Sequence, residues 1–512
     1  TDEELFAQIL MFGWAGAEPS DLLNSWVIDR GLGSVKVFGW NTDDIRLVAK
    51  SVKTLQKEAA SRRFRIPLFV ATDQEGGWIR HVKGETSDTP GNMAIGASGY
   101  AFDAYYSGFY INREIRALGI NMNFAPTVDL YTNLDSSVIG PRSFGSDPVA
   151  AGSMDAGVIP TAKHFPGHGD TSLDSHGRLP QIDIDFSTLQ NRELVPFRYL
   201  IDADIPAVMS GHLSFPQIES DGTPASLSKK FLTDILRNRM GFKGLIITDD
   251  MMMNGATLFA GSFHRAVTMA VEAGNDIIIS STTANLYDNM WTRNIERMRT
   301  VPEFKERVQD AARRVIEAKL KYFKRDNHAP LYPDETKIYE SIPDKEGVKF
   351  FTEQACRSIS VYKRGEAFPF VPKEGERVLI AGPFLSLFNE GRSRYPRADV
   401  FHFSYELKQD KSNFDSWNAE SLAYVARGYD TVIINVYDRH TASIAKRLRN
   451  SGKKVIVLSI MSPVYVLEDF DWADTVLCGY SYSSYSFAAL FGALSGEFVP
   501  RGEIPLGKHF FN

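Results

Sequence analysis

Only two cysteines, Cys356 and Cys478, occur in the 512 residues. That excludes a disulfide framework, and the pair does not form a metal-binding spacing. No apolar run approaches the roughly 20 residues that a membrane helix needs. No Lys/Arg-rich block is present and the formal net charge is −6, so nothing electrostatic points to nucleic acid as a partner. Internal repeats and low-complexity segments are also lacking. Histidine is concentrated between His164 and His212, but without an HExxH-type spacing, so no metal is expected. The first residue is Thr1 and not Met, as a processed or trimmed chain would have it.

What is there is ordinary globular composition, 43% hydrophobic and 23% charged, in a chain too long for one domain. Short apolar runs alternate with amphipathic segments. The runs are Ser34–Phe38, Pro67–Thr72, Ile120–Ala125, Gly157–Ala162, Pro206–Ser210, Leu245–Thr248 and Asp276–Ser280. Helical patterns such as Asp43–Ala60, Ala101–Leu118, Leu227–Met240 and His264–Ala273 lie between them. This rhythm predicts βα units, and seven strands over about 280 residues suit a TIM-type (β/α)8-like barrel better than an open doubly wound sheet. Arg325–Thr336, with two prolines, reads as a linker. A helix over Lys345–Ser358 follows, and then strands at Arg377–Ala381, Thr431–Val436, Lys454–Ile460 and Thr475–Gly479. The expected organisation is a catalytic barrel domain over 1–335 and a smaller α/β sandwich domain with a mainly parallel sheet over 336–512. One barrel unit is short. Only nine residues, Val149 to Gly157, separate Pro148 from the next strand. Either that unit lacks its helix or residues are missing there.

Polar groups follow directly on most strands: Asp73-Gln74-Glu75, Asp129, Lys163-His164, His212 and Asp249-Asp250. In a barrel the C-terminal strand ends share one face, where active sites sit. The densest stretch is Thr161–Pro180, TAKHFPGHGDTSLDSHGRLP, which is too rich in titratable groups and breakers to be core. In it Asp174 lies two residues from His176, close enough to fix the imidazole tautomer and stabilise its charged form, although a loop-stabilising pair would look the same. Asp249 ends its strand and is expected to face the site, with Asp250 in a structural role such as capping. Asp73 offers the acceptor capacity of a sugar site, and Gly76-Gly77 permits a sharp turn beside it. Trp78 is an apolar wall or core. Arg142 is a fork-shaped donor or a surface charge. Lys163 and His164 are adjacent, so both reach one ligand only if the strand has ended there.

The run KHFPGHGDTSLDSHGRLP closely resembles the signature of glycoside hydrolase family 3, in its bacterial β-N-acetylglucosaminidase branch. ATDQEGGWIRH, LGINMNFAPTVDL, GPRSFGSDP, AVMSGHLSFP, PASLS and GFKGLIITDDMM occur in that family's order, and QACRSISVYKR and RGEIPLG are similar to landmarks of its second domain. The resemblance implies a retaining hydrolase for terminal β-linked N-acetylglucosamine, needing neither cofactor nor metal, with peptidoglycan fragments as substrate. Asp249 matches the nucleophile. His176 matches the histidine acid/base of this branch and Asp174 its dyad partner. Asp73, Arg142, Lys163 and His164 match sugar-binding positions, and His212 a histidine lining the site. The two-domain form resembles extracytoplasmic members, secreted, periplasmic or lipid-anchored. Alternatives are a phosphorylase, since histidine suits an anionic acceptor, a β-glucosidase, which the Asp174–His176 pair argues against, and a catalytically dead sugar-binding protein.

Overall fold

The short apolar runs become strands of one sheet because each is buried on both faces, and most are followed by a helix that covers them. The computed structural model describes residues 1–136, 138–145, 155–171, 179–366, 368–403, 412–467 and 469–507. The strands of the first part are β1 (Leu10–Phe12), β2 (Ser34–Lys36), β3 (Phe69–Thr72), the small hairpin β4 (Gln74–Gly76) and β5 (Ile79–Arg80), β6 (Met122–Asn123), β7 (Ile159–Phe165), β8 (Ala207–Ser210), β9 (Leu245–Thr248) and β10 (Ile278–Ser280). Eight of them form a parallel sheet in the order β10-β1-β2-β3-β6-β7-β8-β9. Inward residues from every strand of the ring except β2 (Met11, Phe69, Met122, Ile159, Met209, Ile247 and Ile279) pack as one cluster, so the interior is filled. Val315 and Tyr322 of the helix Pro302–Phe323 join that cluster.

The ring closes between β9 and β10 through a short bridge, Ile247 to Ile277, with backbone bonds from Thr248 N–H to Ile277 O at 3.0 Å and from Asp276 N–H to Ile246 O at 2.7 Å. Side chains reinforce this seam. Ile246 N–H donates to Asp276 Oδ2 at 2.9 Å and Ile279 N–H to Thr248 Oγ1 at 3.0 Å. Asp276 is in turn held by Arg237 and, at 2.8 Å, by Arg307.

The expected barrel is present, with one strand more than the apolar runs give. β1 is hidden in the sequence because its three residues follow directly on the helix Asp2–Gln8 and carry no period of their own. β6 and β7 are neighbours, with Met122 opposite Ile159, so the strand order runs without a break across the short unit, whose residues 146–154 lie outside the described residues.

A second sheet follows: β11 (Ser360–Lys363), β12 (Val378–Gly382), β13 (Asp399–His402), β14 (Thr431–Val436), β15 (Lys454–Ser459) and β16 (Thr475–Cys478), in the order β11-β16-β15-β14-β12-β13. It is parallel except for β11, which runs antiparallel to β16. Apolar clusters cover both faces, as the sandwich expectation required. One of these clusters includes Met93, Ala94, Ala97 and Tyr131 from the barrel part, so the two parts share packing. Arg357, on the helix Lys345–Ser358, pairs at 2.6 Å with the fully buried Asp103 on the helix Ala101–Ala117.

Candidate active site

The strand ends deliver their polar residues to one face of the barrel, and there the charges alternate in sign. Asp73, just past β3, accepts from Lys163 Nζ at 2.6 Å and from Lys36 Nζ at 2.8 Å. Glu75, on β4, accepts from Lys163 Nζ at 2.7 Å, and its two oxygens take Nε and Nη2 of Arg142 at 2.9 and 2.7 Å. This is the bidentate geometry that a guanidinium gives a carboxylate. All five side chains are buried or nearly so, and only their mutual pairing makes that tolerable. Burial alone would raise the Asp73 carboxyl, but Lys163 and Lys36 hold it well below the usual range. Burial likewise opposes ionisation of Glu75, and Arg142 and Lys163 outweigh it, leaving the group at about 2. Burial disfavours the Lys163 ammonium, yet the Asp73 and Glu75 charges raise it above its ordinary value.

β7 continues through Phe165, where Lys163 was expected to mark its end. Both neighbours still enter the pocket, because the ladder to β8 shifts register between Ala162 and Phe165. His164 Nδ1 lies 2.7 Å from Asp129 Oδ2, and the backbone N–H groups of His164 and His168 also donate to that carboxylate, at 3.1 and 2.7 Å to Oδ1. Burial would raise Asp129, but His164 and these donors hold it down, so it can only accept. His164 Nδ1 therefore donates to Asp129, and Nε2 lies 3.5 Å from Arg142 Nη2. Gly169 has no room for a side chain: a Cβ there would lie 1.4 Å from Leu130 O. This close approach locks the loop after β7 to the loop after β6.

Asp249 follows β9 and is half-buried. Its N–H donates to Ser210 O at 2.9 Å, and its Oδ1 accepts the Asp250 N–H at 2.8 Å. Burial would raise its carboxyl, but His164 and the Asp250 N–H outweigh it and hold it at about 2. It is an ionised carboxylate without a lysine or arginine pair of its own among the described residues. Asp250 has the expected structural role, with Oδ1 accepting the N–H groups of Met252 and Ser281, both at 3.0 Å. His212 uses both ring nitrogens within the protein. Nε2 faces Asp250 O at 3.0 Å, so it must donate, and Nδ1 then accepts from Ser226 Oγ at 2.7 Å. Burial favours this neutral ring.

Residues 1–318 match the glycosyl hydrolase family 3 N-terminal domain. The chain belongs to glycosyl hydrolase family 3. It is 32% identical over 289 residues to the β-hexosaminidase A of Pseudoalteromonas piscicida, of whose length it spans 47%. It is also 32% identical over 296 residues to a β-hexosaminidase of Thiobacillus denitrificans, covering 55% of this chain and 80% of that protein. The family-3 fold extends over both parts. A glycoside hydrolase family 3 β-N-acetylglucosaminidase from Paenibacillus sp. str. FPU-7 superposes with a TM-score of 0.86, at 27% identity, over 99% of each chain.

Of the positions expected in this family-3 site, the structure brings together Asp73, Arg142, Lys163, His164, Asp249 and His212. Asp174 and His176 lie outside the described residues. Sequence reasoning left Glu75, Asp129 and Lys36 off the list of site residues. Glu75 and Asp129 were visible as polar strand-end residues, but a carboxylate that holds other side chains has no signal distinct from one that holds a ligand. Lys36 sits inside the apolar run Ser34–Phe38 and reads there as an interruption. Among the described residues no cluster of three or more His, Cys, Asp or Glu could hold a metal, and no helix is long and apolar enough to cross a membrane.

Proposed function

We propose that this family-3 chain is a retaining β-N-acetylhexosaminidase that releases terminal β-linked N-acetylglucosamine from cell-wall fragments. The observation that carries the reading is Asp249, an ionised carboxylate at a strand end, beside a pocket whose other carboxylates are tied to cations. A retaining mechanism needs such a group on one face of the anomeric carbon. Asp249 attacks that carbon and forms a glycosyl ester. His176 protonates the departing oxygen and then, as the neutral imidazole, takes a proton from the attacking water, with Asp174 stabilising the charged ring. The roles of Asp174 and His176 rest on the sequence motif. Asp73, Arg142, Lys163 and His164 bind the sugar hydroxyls and acetamido group through the polar valences their mutual pairing leaves over. His212, engaged at both nitrogens, positions the turn at Asp249 and Asp250.

Mass spectrometry of peptides after reaction with a slow 5-fluoro N-acetylglucosaminide is expected to find the sugar on the peptide holding Asp249. Asp249→Ala should lose about a thousandfold or more in kcat on a chromogenic N-acetylglucosaminide. A label elsewhere, or an unchanged rate in the variant, removes Asp249 from this role. At high phosphate the product should still be the free sugar. Sugar 1-phosphate would replace hydrolysis by the phosphorylase reading.

A further inference from the structure

We propose that Trp40 is the platform for the leaving-group sugar, a pyranose ring bound just outside the pocket that takes the terminal residue. The inference rests on the reading of the pocket above and extends it outward. The pocket floor leads to Trp40 through a continuous set of contacts. Lys36 Nζ, 2.8 Å from Asp73, also lies 4.3 Å from the centroid of the Phe38 ring. His81, with Nδ1 3.6 Å from Asp73, has its ring 5.6 Å from the same Phe38 ring. Trp40 stacks on Phe38 with centroids 4.4 Å apart and planes within 4°. Phe38 is 6% exposed, whereas Trp40 is 52% exposed. One face of the indole is therefore covered by a buried ring, and its exposure belongs to the other.

An exposed aromatic side chain is by itself common. Trp40 differs in being fixed. Its Nε1–H donates to Trp14 O at 2.7 Å, which sets the ring plane. The turn that carries it, Gly39–Asn41, is fastened by Asn41: Oδ1 accepts the Phe38 N–H at 2.8 Å, and Nδ2 donates to Trp14 O and Gly16 O at 3.1 and 2.5 Å. Thr42 Oγ1 donates to His81 O at 2.7 Å, tying the turn to the segment beside Asp73. A flat ring whose orientation is already set loses little entropy when it is covered. Its negative face attracts the C–H groups of a pyranose, which carry small positive charge.

Direction follows from the reaction. An enzyme that removes a terminal residue encloses that residue, so any further ring of the substrate lies on the leaving-group side. Trp40 follows the C-terminal end of β2, as Asp249 follows that of β9, so both belong to the same end of the barrel. The sugar after the scissile bond is thus the ring that meets it.

The test compares binding of N,N′-diacetylchitobiose and of N-acetylglucosamine by calorimetry, in Asp249→Ala with and without Trp40→Ala. The Kd of the disaccharide is expected to rise about tenfold relative to that of the monosaccharide when the indole is removed, and Trp40→Phe should restore most of the difference. In the active enzyme the same substitutions should raise KM for the disaccharide more than they lower kcat. A Kd ratio that stays within twofold overturns the platform. If the wild-type chain binds these sugars as expected but releases none, the hydrolase reading fails while the platform stands.

Discussion

Glu75 Oε1 is shared between two buried cations, Lys163 and Arg142, each at 2.7 Å. Its carboxyl sits at about 2 in the folded chain against 4.5 for an unperturbed group. Between those values the folded chain binds fewer protons than the unfolded one, so the stabilisation is complete above pH 4.5 and is lost as pH falls towards 2, at most about 3 kcal/mol. Glu75→Gln keeps the volume and removes the charge, leaving two cations underpaired. Urea unfolding at pH 7 should show a loss of about 3 kcal/mol, and the gap to the wild type should narrow at pH 3. Equal gaps at both values would mean that the ion pairs contribute nothing net. Asp249, also at about 2, stays ionised throughout the neutral and mildly acidic range, so it does not set the acid limb of an activity profile.

The loops after β6 and β7 act as one element, because Gly169 lies against Leu130 and the neighbouring Asp129 holds His164 and His168. Gly169→Ala adds one methyl group where a carbonyl oxygen stands, which should cost about 1–3 kcal/mol and lower kcat/KM through His164. A thermal melt and a kinetic assay check both; a variant unchanged in each would show that the two loops move independently. At this scale the sequence is a partial guide. β9 (Leu245–Thr248) and β14 (Thr431–Val436) coincide with their apolar runs, since strands buried on both faces need uninterrupted hydrophobicity. β13 and β11 escape such a reading: the first is an edge strand with three of four residues exposed, and the second follows a helix without a break. The site was legible where residues end strands. It was not legible where the tertiary structure assigns work, as with Asp129, or consumes a donor, as with His212.

Across the whole molecule the barrel and the second sheet are joined by shared apolar packing and by the Asp103–Arg357 pair. Arg357→Ala leaves Asp103 buried without its cation and should cost about 3 kcal/mol. Calorimetry should show a single endotherm moving down as a unit, whereas two separating transitions would indicate parts that fold independently. The barrel's seam has a different consequence. Asp249 continues from β9, and β9 is joined to β10 by backbone bonds such as Thr248 N–H to Ile277 O and by the side chains of Asp276 and Thr248. Asp276, just before β10 and facing the first half of β9, is gripped by Arg237 and Arg307. Asp249 thus owes part of its position to residues outside the pocket. Two relatives with identical pockets can then differ in rate through this remote knot, and directed evolution that randomises only the pocket will leave that source of variation unsampled.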